Sequence, residues 1–158
     1  VGLYGPRRFT LLQASLGWYL KSVTIAGTDV TDTGFELPGS GTATGAEIVL
    51  SARGASIAGR VVDGRNRPAA AGVVVMPSDR RLWMPYARQL KRVETRDGTF
   101  HVQGLPPGDY WVAAVPSFTG SGTDEWQNPA VLDALASRAE RVTVGESEAV
   151  EVPLLRLP

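Results

Sequence analysis

Short apolar runs separated by turn residues fill the chain from residue 55 onward. Residues 55–63 (ASIAGRVVD) alternate apolar and polar positions, which is typical of a strand that buries one face. Residues 72–76 (GVVVM) form a β-branched run that is too short for a helix. The same kind of pattern predicts five more strands, over residues 92–95, 99–103, 109–115, 141–144 and 149–155.

A tight hairpin is the strongest local signal in this region. Asp97 and Gly98 both tolerate positive φ, the conformation that a two-residue hairpin loop requires. The strand after it places Phe100 and Val102 on one face and His101 on the other. We therefore expect Phe100 and Val102 in the core and His101 at the surface.

One segment has helical periodicity. Asn128 is a favourable N-cap, and the proline after it suits the first helical position. Apolar residues then recur at steps of three and four, which predicts a helix from Asn128 to about Ala139. Seven short strands with turns between them and a single short helix indicate an all-β fold, a seven-strand antiparallel β-sandwich.

The N-terminal third has fewer strands. Residues 9–12, 19–25 and 46–52 are predicted strands, and the stretch 39–45 (GSGTATG) has the composition of a flexible loop. Three or four strands that expose one apolar face make a poor free-standing domain. Such a sheet needs strands from elsewhere to cover it.

The chain is therefore interpreted as two units. Residues 1–53 are the C-terminal part of a preceding partial β-sandwich, and residues 54–158 form a complete one. The missing strands come either from upstream in a longer chain or from a neighbouring subunit by strand complementation. The sequence begins at Val1 with no signal segment, so we expect a processed chain or a piece of a longer one.

The composition argues against several classes of partner. Lys plus Arg and Asp plus Glu both number 16, so the chain lacks the basic excess that nucleic acid attracts. The absence of Cys excludes disulfides and thiolate metal sites, and no apolar run reaches the ~18 residues of a membrane-spanning helix. One arginine-rich stretch is interpreted as a solvated loop of mixed charge. Its arginines are Arg80, Arg81, Arg88 and Arg92.

The sequence offers no catalytic constellation. His101 is the only histidine, so a Ser-His-Asp triad or a histidine-based acid/base pair would depend on it. It lies in the middle of a predicted strand. Neither a G-x-S-x-G elbow nor a phosphate-binding G-x-x-x-x-G-K loop occurs. We expect a non-enzymatic protein without a cofactor.

Three acidic residues lie close enough in the sequence to be calcium candidates. Asp29, Asp32 and Glu36 occur in TDVTDTGFE, and calcium takes six to eight oxygen ligands. Their spacing fits no EF-hand loop. Aspartate also favours turns, because its side chain bonds to nearby backbone. Turn formation is the preferred interpretation, and calcium binding is the alternative.

Aromatic side chains mark the candidate contact residues. Trp111 is in the phase opposite to the core, so we expect it to point outward, on the same side as His101 if their strands are neighbours. It either contacts a ligand or partner, or is covered by the predicted helix or by the segment 77–90. Trp83 and Tyr86 lie in that segment, either as contact residues or in a loop folded over a sheet edge.

Residues 55 to 155 resemble the carboxypeptidase regulatory-like domains, also described as transthyretin-like or prealbumin-like sandwiches. The matching pieces are AGRVVDGRNRPAAAGVVVMP, TRDGTFHVQGLPPGDYWVAAV and EWQNPAVLDALASRAERVTVGESEAVEVPL. The stretch GWYLKSVTIAGTDVTDT resembles the end of a preceding repeat. The resemblance implies a bacterial exported, extracytoplasmic protein built from repeated β-sandwiches, without peptidase activity. The grouping of such domains with starch-binding folds suggests carbohydrate as a ligand.

Two functional hypotheses result. The first is a structural or assembly module of a larger surface protein or filament, which contacts other protein chains or neighbouring domains through sheet edges and aromatic loops. The second is a carbohydrate-binding module that uses exposed aromatics. A sugar binder should present two or more coplanar aromatics on an open groove, whereas an assembly module should bury them against a neighbouring chain. The incomplete N-terminal sandwich favours the first.

Overall fold

A computed structural model describes residues 6–11, 15–36, 44–117 and 124–157 of the chain. The helix α1 spans Pro129–Ala136, and short 3-10 helices span Arg80–Leu82 and Asp124–Gln127. The strands are β1 (Pro6–Arg7), β2 (Tyr19–Ile25), β3 (Thr28–Asp29), β4 (Phe35–Glu36), β5 (Ala46–Ser51), β6 (Ala55–Val62), β7 (Gly72–Pro77), β8 (Lys91–Glu94), β9 (Thr99–Leu105), β10 (Gly108–Val115), β11 (Glu140–Val144), β12 (Ala149–Glu151) and β13 (Leu154–Leu155).

Two sheets built from β6 to β13 enclose a common core and form the sandwich. The first sheet has the strand order β11-β10-β7-β8, and all its pairings are antiparallel. In the second sheet, β6 pairs with the antiparallel β9 on one side and with β12 and β13 on the other. The predicted all-β fold is confirmed: each strand expected after residue 55 is present, the last one divided into β12 and β13.

The last strand differs from the expected antiparallel arrangement. β12 and β13 run parallel to β6, with Leu154 opposite Val61 in the second of these pairings. The chain leaves β11 at the edge of the first sheet and crosses to the second sheet, so it arrives beside β6 in the same direction. Pro153 separates β12 from β13, since proline has no N–H to donate to a strand ladder.

An apolar cluster, here called the inner core, lies between the two sheets. Phe100 and Val102 are 5% and 3% exposed, as the alternation in their strand predicts. Tyr110 is also buried, and its hydroxyl donates a hydrogen bond of 2.7 Å to the Pro106 carbonyl. Burial raises the pKa of Tyr110, so the hydroxyl stays a donor. Other large members are Ile57, Val61, Val73, Val75, Leu105, Val112, Val142, Val144, Val152 and Leu154.

Strand β7 is buried on both of its faces. Its sequence GVVVMP is a continuous apolar run, which is typical of strands that are covered on both sides. One face contributes Val73 and Val75 to the inner core. The other contributes Val74 and Met76 to a second cluster, the outer core, which also contains residues of α1 and of the segment 77–90. The first sheet therefore carries a third layer.

The predicted helix is confirmed as α1. Asn128 is its N-cap, because the side-chain Oδ1 accepts a hydrogen bond of 2.9 Å from the Ala130 N–H. Leu132 is fully buried in the outer core, which attaches the helix to the first sheet. The helix ends at Ala136, short of the predicted Ala139. Among the described residues, no helix has the length and apolarity needed to cross a membrane.

The N-terminal region has a sheet of its own with the strand order β3-β2-β5. The predicted strands 19–25 and 46–52 are confirmed as β2 and β5, although β5 ends at Ser51. These two strands pair antiparallel, with a bulge between Leu20 and Ser22. In the same region, β1 and β4 form a two-stranded ladder.

The strand predicted over residues 9–12 is wrong for residues 9–11. Pairing between β1 and β4 ends at Arg7, and the ring of Phe9 stacks on Phe35 of β4, with 5.4 Å between the ring centres. Leu12 lies outside the described residues. Residues 39–43 of the predicted loop 39–45 also lie outside the described residues.

Candidate functional site

The segment 77–90 is a folded layer with internal anchors. The Trp83 indole N–H donates a hydrogen bond of 2.8 Å to the Pro77 carbonyl, and Trp83 is only 6% exposed. The Tyr86 N–H donates a bond of 2.7 Å to the Gln127 side-chain oxygen, close to the start of α1. Tyr86 itself is 60% exposed. The segment thus buries one of its two candidate aromatics and presents the other.

Trp111 lies on the outer side of the first sheet, as its phase in the strand predicts. It packs against the outer core and is half-buried. The Arg141 guanidinium lies 5.9 Å from the centre of its ring, which is a cation–π contact. Of the alternatives that the sequence leaves open, the structure has Trp111 packed against the third layer of α1 and the segment 77–90.

His101 lies on the opposite side of the sandwich from Trp111. Its strand β9 belongs to the second sheet, where His101 is exposed and pairs with Ala58, whereas β10 belongs to the first sheet. The two strands are consecutive in the chain but are not paired. The sequence predicts Trp111 on the side of His101 only if their strands are neighbours, and in the structure they are not. The structure therefore brings Trp83 and Trp111 to one core and leaves His101 apart from them.

Two of the three calcium candidates have separate side-chain partners. Asp29 accepts hydrogen bonds from the Thr31 hydroxyl at 2.6 Å and the Thr31 N–H at 2.9 Å, and these bonds lower the pKa of Asp29. Asp32 is paired with Arg88, and Glu36 lies in β4. In the part of the chain that the structure describes, no three His, Cys, Asp or Glu residues are grouped as a metal site requires.

Arg88 connects the N-terminal sheet to the sandwich. Its Nε and Nη2 donate to the two carboxylate oxygens of Asp32 at 3.0 and 2.8 Å, a bidentate pair. Its Nη1 donates to the Leu20 carbonyl at 2.8 Å and to the Lys21 carbonyl at 3.1 Å. The Gln89 amide adds a bond of 3.1 Å to Asp32. This set of contacts is called the junction clamp below.

The electrostatics of the junction clamp favour the charged form of Asp32. Partial burial acts to raise the pKa of Asp32, and the hydrogen bonds and positive charge of Arg88 act to lower it. The lowering prevails, so the carboxylate remains ionised and paired at neutral pH. The Arg88 and Asp32 side chains are 21% and 29% exposed, so solvent screens this pair less than it screens surface pairs.

Backbone from the two regions also comes very close at Gly104. Gly104 has φ +69°, and a Cβ placed there would lie 2.6 Å from the Trp18 carbonyl oxygen. Nearby, the Gly54 N–H donates a hydrogen bond of 2.9 Å to the Gly17 carbonyl. Only glycine tolerates both the backbone conformation and the contact at Gly104.

A crevice of about 440 Å³ lies beside this junction. One wall comes from the N-terminal region and the other from the segment 77–90 and the start of β8. Two charged side chains line it, Arg88 of the junction clamp and Lys91, together with the amide of Gln103. Its apolar lining residues include Phe9, Leu11, Leu16, Trp18, Tyr86 and Leu90.

A second surface feature is the apolar face of β5, here called the β5 patch. Ile48 and Leu50 are 49% and 43% exposed. Their partners across the ladder, Val23 and Leu20, are 1% and 4% exposed. One apolar face therefore continues from a buried strand to an exposed one, and within the described residues β5 pairs with β2 alone.

Sequence reasoning missed the junction clamp and the crevice. The sequence predicts a solvated loop at Arg88 and a turn or a calcium ligand at Asp32, and neither prediction pairs the two residues. The two residues are 56 positions apart in the chain, so no local sequence pattern predicts their pairing. One local signal exists: the polar pair Arg88-Gln89 lies between two apolar residues, Ala87 and Leu90, which are buried in the structure. This pattern indicates a folded segment whose polar side chains bind to another part of the protein.

Comparisons with known proteins find a distant likeness to solved structures that include pilins. No protein-family model and no characterised protein matches the chain. Among solved structures, the BcpA major pilin subunit of Bacillus cereus is similar over 70% of this chain and 31% of its own (15% identity, TM-score 0.45). A streptococcal ancillary pilin is similar over 90% and 46% (15% identity, TM-score 0.43). The TIE protein of Bacillus anthracis is similar over 70% and 19% (13% identity, TM-score 0.41). The chain thus spans less than half of each of these structures, and a likeness at this level assigns neither family nor function.

Proposed function

We propose that the chain is a non-catalytic structural or assembly module that contacts other protein chains or neighbouring domains. The observation that carries the proposal is the β5 patch. Ile48 and Leu50 are large aliphatic residues that stay about half exposed while their ladder partners are buried. A sheet face that is apolar but only partly covered marks an interaction surface.

The geometry of β5 suits a strand from another protein. Backbone N–H and C=O groups on the open side of a sheet pair readily with an added strand, and alternate side chains then meet the sheet face. An added strand next to β5 would bring its own apolar residues against Ile48 and Leu50. This arrangement is the strand complementation predicted from the incomplete N-terminal sandwich.

The remaining assignments belong to the same proposal. We place the boundary between a preceding partial sandwich and a complete sandwich at residues 53 and 54, and we assign the second unit to the carboxypeptidase regulatory-like class. The Asp97-Gly98 hairpin and the strand order support that assignment. Such domains belong to exported proteins, so the proposed location is extracytoplasmic, in a larger surface protein or filament.

Carbohydrate binding is the second candidate function. It requires aromatic rings that are open to stack on a sugar. Trp83 is buried and Trp111 is half-buried, whereas Tyr86 is 60% and Trp18 is 41% exposed beside the crevice. The two exposed aromatic side chains support carbohydrate binding, but the aliphatic β5 patch favours a protein partner.

A second copy of the chain serves as the partner in the test. Sedimentation velocity at rising concentration measures self-association of the wild-type chain, of Ile48→Lys and of Leu50→Lys. Val131→Lys is the matched control, since Val131 is 40% exposed on α1. We expect association that both β5 variants remove and the control keeps. A chain that stays monomeric at every concentration, or association that Val131→Lys removes equally, would contradict the proposal.

A further inference from the structure

We propose that the crevice is a binding site for an acidic peptide segment of a partner protein, in which Lys91 receives a carboxylate while the apolar walls hold its flanking residues. This site shares no residue with the β5 patch. It therefore goes beyond the proposed function, and either proposal can fail without the other.

The position of Lys91 in its strand directs the side chain toward the interior. Lys91 and Val93 are two residues apart in β8 and so lie on the same face, and Val93 packs against the inner core. Arg92, on the opposite face, lies over the Trp126 ring at 5.6 Å. Lys91 thus lies at the end of the sandwich interior, partly buried, and lines the crevice together with residues of the N-terminal region. Burial lowers the pKa of Lys91, which is the mark of an ammonium with reduced hydration.

Lys91 has no counterion in the described part of the chain. Arg88, the other cation of the crevice, is fully engaged by Asp32 and by two carbonyls. Lys21, the other lysine, is exposed and lies 3.9 Å from Glu146. A partly buried ammonium without a partner favours an incoming anion. Folding has already removed part of its hydration shell, so ligand binding has to remove less water from it.

Gln103 supplies a second open group in the same crevice. Its side-chain oxygen is buried and accepts no hydrogen bond, while its amide nitrogen lies 3.2 Å from the His101 ring. A buried acceptor without a donor is a cost that a ligand N–H can relieve. The backbone N–H of a peptide bound beside Lys91 is such a donor.

The walls favour a peptide over an acidic sugar. In the described lining, Lys91 is a cation without a counterion and lies among leucine and aromatic side chains, whereas an acidic sugar presents mostly hydroxyl groups to its site. Leu16 is 87% exposed and Trp18 is 41% exposed along the wall of the crevice. A peptide with apolar side chains on either side of a carboxylate matches this arrangement, in which one cation lies among leucine side chains and aromatic rings.

The test uses capped peptides of defined sequence. Acetyl-Leu-Glu-Leu-amide and its Gln counterpart are titrated into the isotopically labelled chain, and the amide signals of Trp18, Lys91 and Gln103 are followed by NMR. Lys91→Met removes the cation, Lys91→Arg keeps it, and Lys21→Met is the matched lysine control. Glucuronate is titrated in parallel as the acidic sugar.

We expect the Glu peptide to bind at least about tenfold more tightly than the Gln peptide, because a charge-assisted hydrogen bond is the stronger kind. The preference should be lost in Lys91→Met and kept in Lys91→Arg, Lys21→Met and Ile48→Lys. The bound peptide should also protect Lys91, and not Lys21, from a limiting amine acylating reagent. Equal binding of both peptides, binding of neither, or Lys91-dependent binding of glucuronate alone would overturn the proposal. If Lys91→Met fails to fold, the two peptides on the wild-type chain still decide it.

Discussion

The sandwich and the N-terminal sheet bury the same residue type to different extents. Ile57 in the sandwich is completely buried, whereas Ile48 in the N-terminal sheet is 49% exposed. The sandwich has a second sheet and a third layer to cover its apolar faces. A strand pattern therefore identifies an apolar face, but a second layer decides whether that face is buried.

The two regions also differ in what holds them together. The sandwich rests on the inner and outer cores, which are built from aliphatic and aromatic side chains. The N-terminal sheet is fixed to it by polar and backbone contacts, notably the junction clamp and the approach at Gly104. We therefore expect apolar substitutions to act mainly on the sandwich and junction substitutions mainly on the N-terminal sheet.

The largest effect is expected from a matched pair of isoleucine substitutions. Ile57→Ala leaves a cavity in the inner core and should lower the free energy of unfolding by about 3 kcal/mol. Ile48→Ala should change it by less than about 1 kcal/mol, because the side chain is already half in water. Urea unfolding followed by fluorescence measures both. Equal losses would mean that Ile48 is covered in solution.

The next effect concerns the close approach at the junction. Gly104→Ala places a methyl group 2.6 Å from the Trp18 carbonyl oxygen at positive φ, and should destabilise the chain by about 2 kcal/mol. Hydrogen exchange should rise in β2 and β5 before it rises in β7. Gly64→Ala is the control, since its Cβ would meet no atom within 4 Å. Uniform exchange across both regions would show that they unfold as one unit.

The junction clamp should give a smaller, pH-dependent effect. Asp32→Asn removes the carboxylate that Arg88 pairs with and should cost about 1 kcal/mol at neutral pH. The pKa of Asp32 is lowered in the folded chain, so its contribution is present above the unfolded value near 3.8 and is lost as the pH falls through the folded value. The gap between wild type and variant should close below about pH 3.8. Thermal unfolding from pH 7 to 2.5 measures it, and a gap that persists at the lowest pH would rule out the ion pair as its source.

The smallest effect is expected at an exposed ion pair between the two regions. Glu146 lies 3.2 Å from Arg53 and 3.9 Å from Lys21, and all three side chains are exposed by a third or more. Glu146→Gln should change the free energy of unfolding by less than about 0.5 kcal/mol, and salt should reduce even that. A loss above about 1 kcal/mol would mean that surface charge, more than the junction clamp, joins the regions.

Local rules predicted much of the fold. The Asp97-Gly98 hairpin has positive φ at both residues, as its sequence requires. The Asn128 cap and the burial of Phe100 and Val102 also follow from neighbouring residues alone. The sequence of β7 is a continuous apolar run, and this pattern indicates a strand that is buried on both faces. An alternating pattern indicates burial of one face only.

Features that depend on distant parts of the chain were not predicted. The parallel direction of β13 depends on which sheet the chain enters after β11, and alternation is the same for either direction. His101 and Trp111 lie on opposite sides because consecutive strands cross between sheets. Among the candidate site residues, burial of Trp83 depends on a hydrogen bond to Pro77 and on the outer core, which only the folded segment provides.

The parallel pairing of β6 and β13 has a mechanical consequence. These strands begin and end the sandwich, and they lie side by side with Val61 opposite Leu154 and Val62 opposite Leu155. Tension applied through the chain at both ends slides the two strands past each other, so their hydrogen bonds bear load together rather than opening one after another. A pulling experiment should find a higher rupture force in this direction than when the hairpin around Gly98 is the point of attachment.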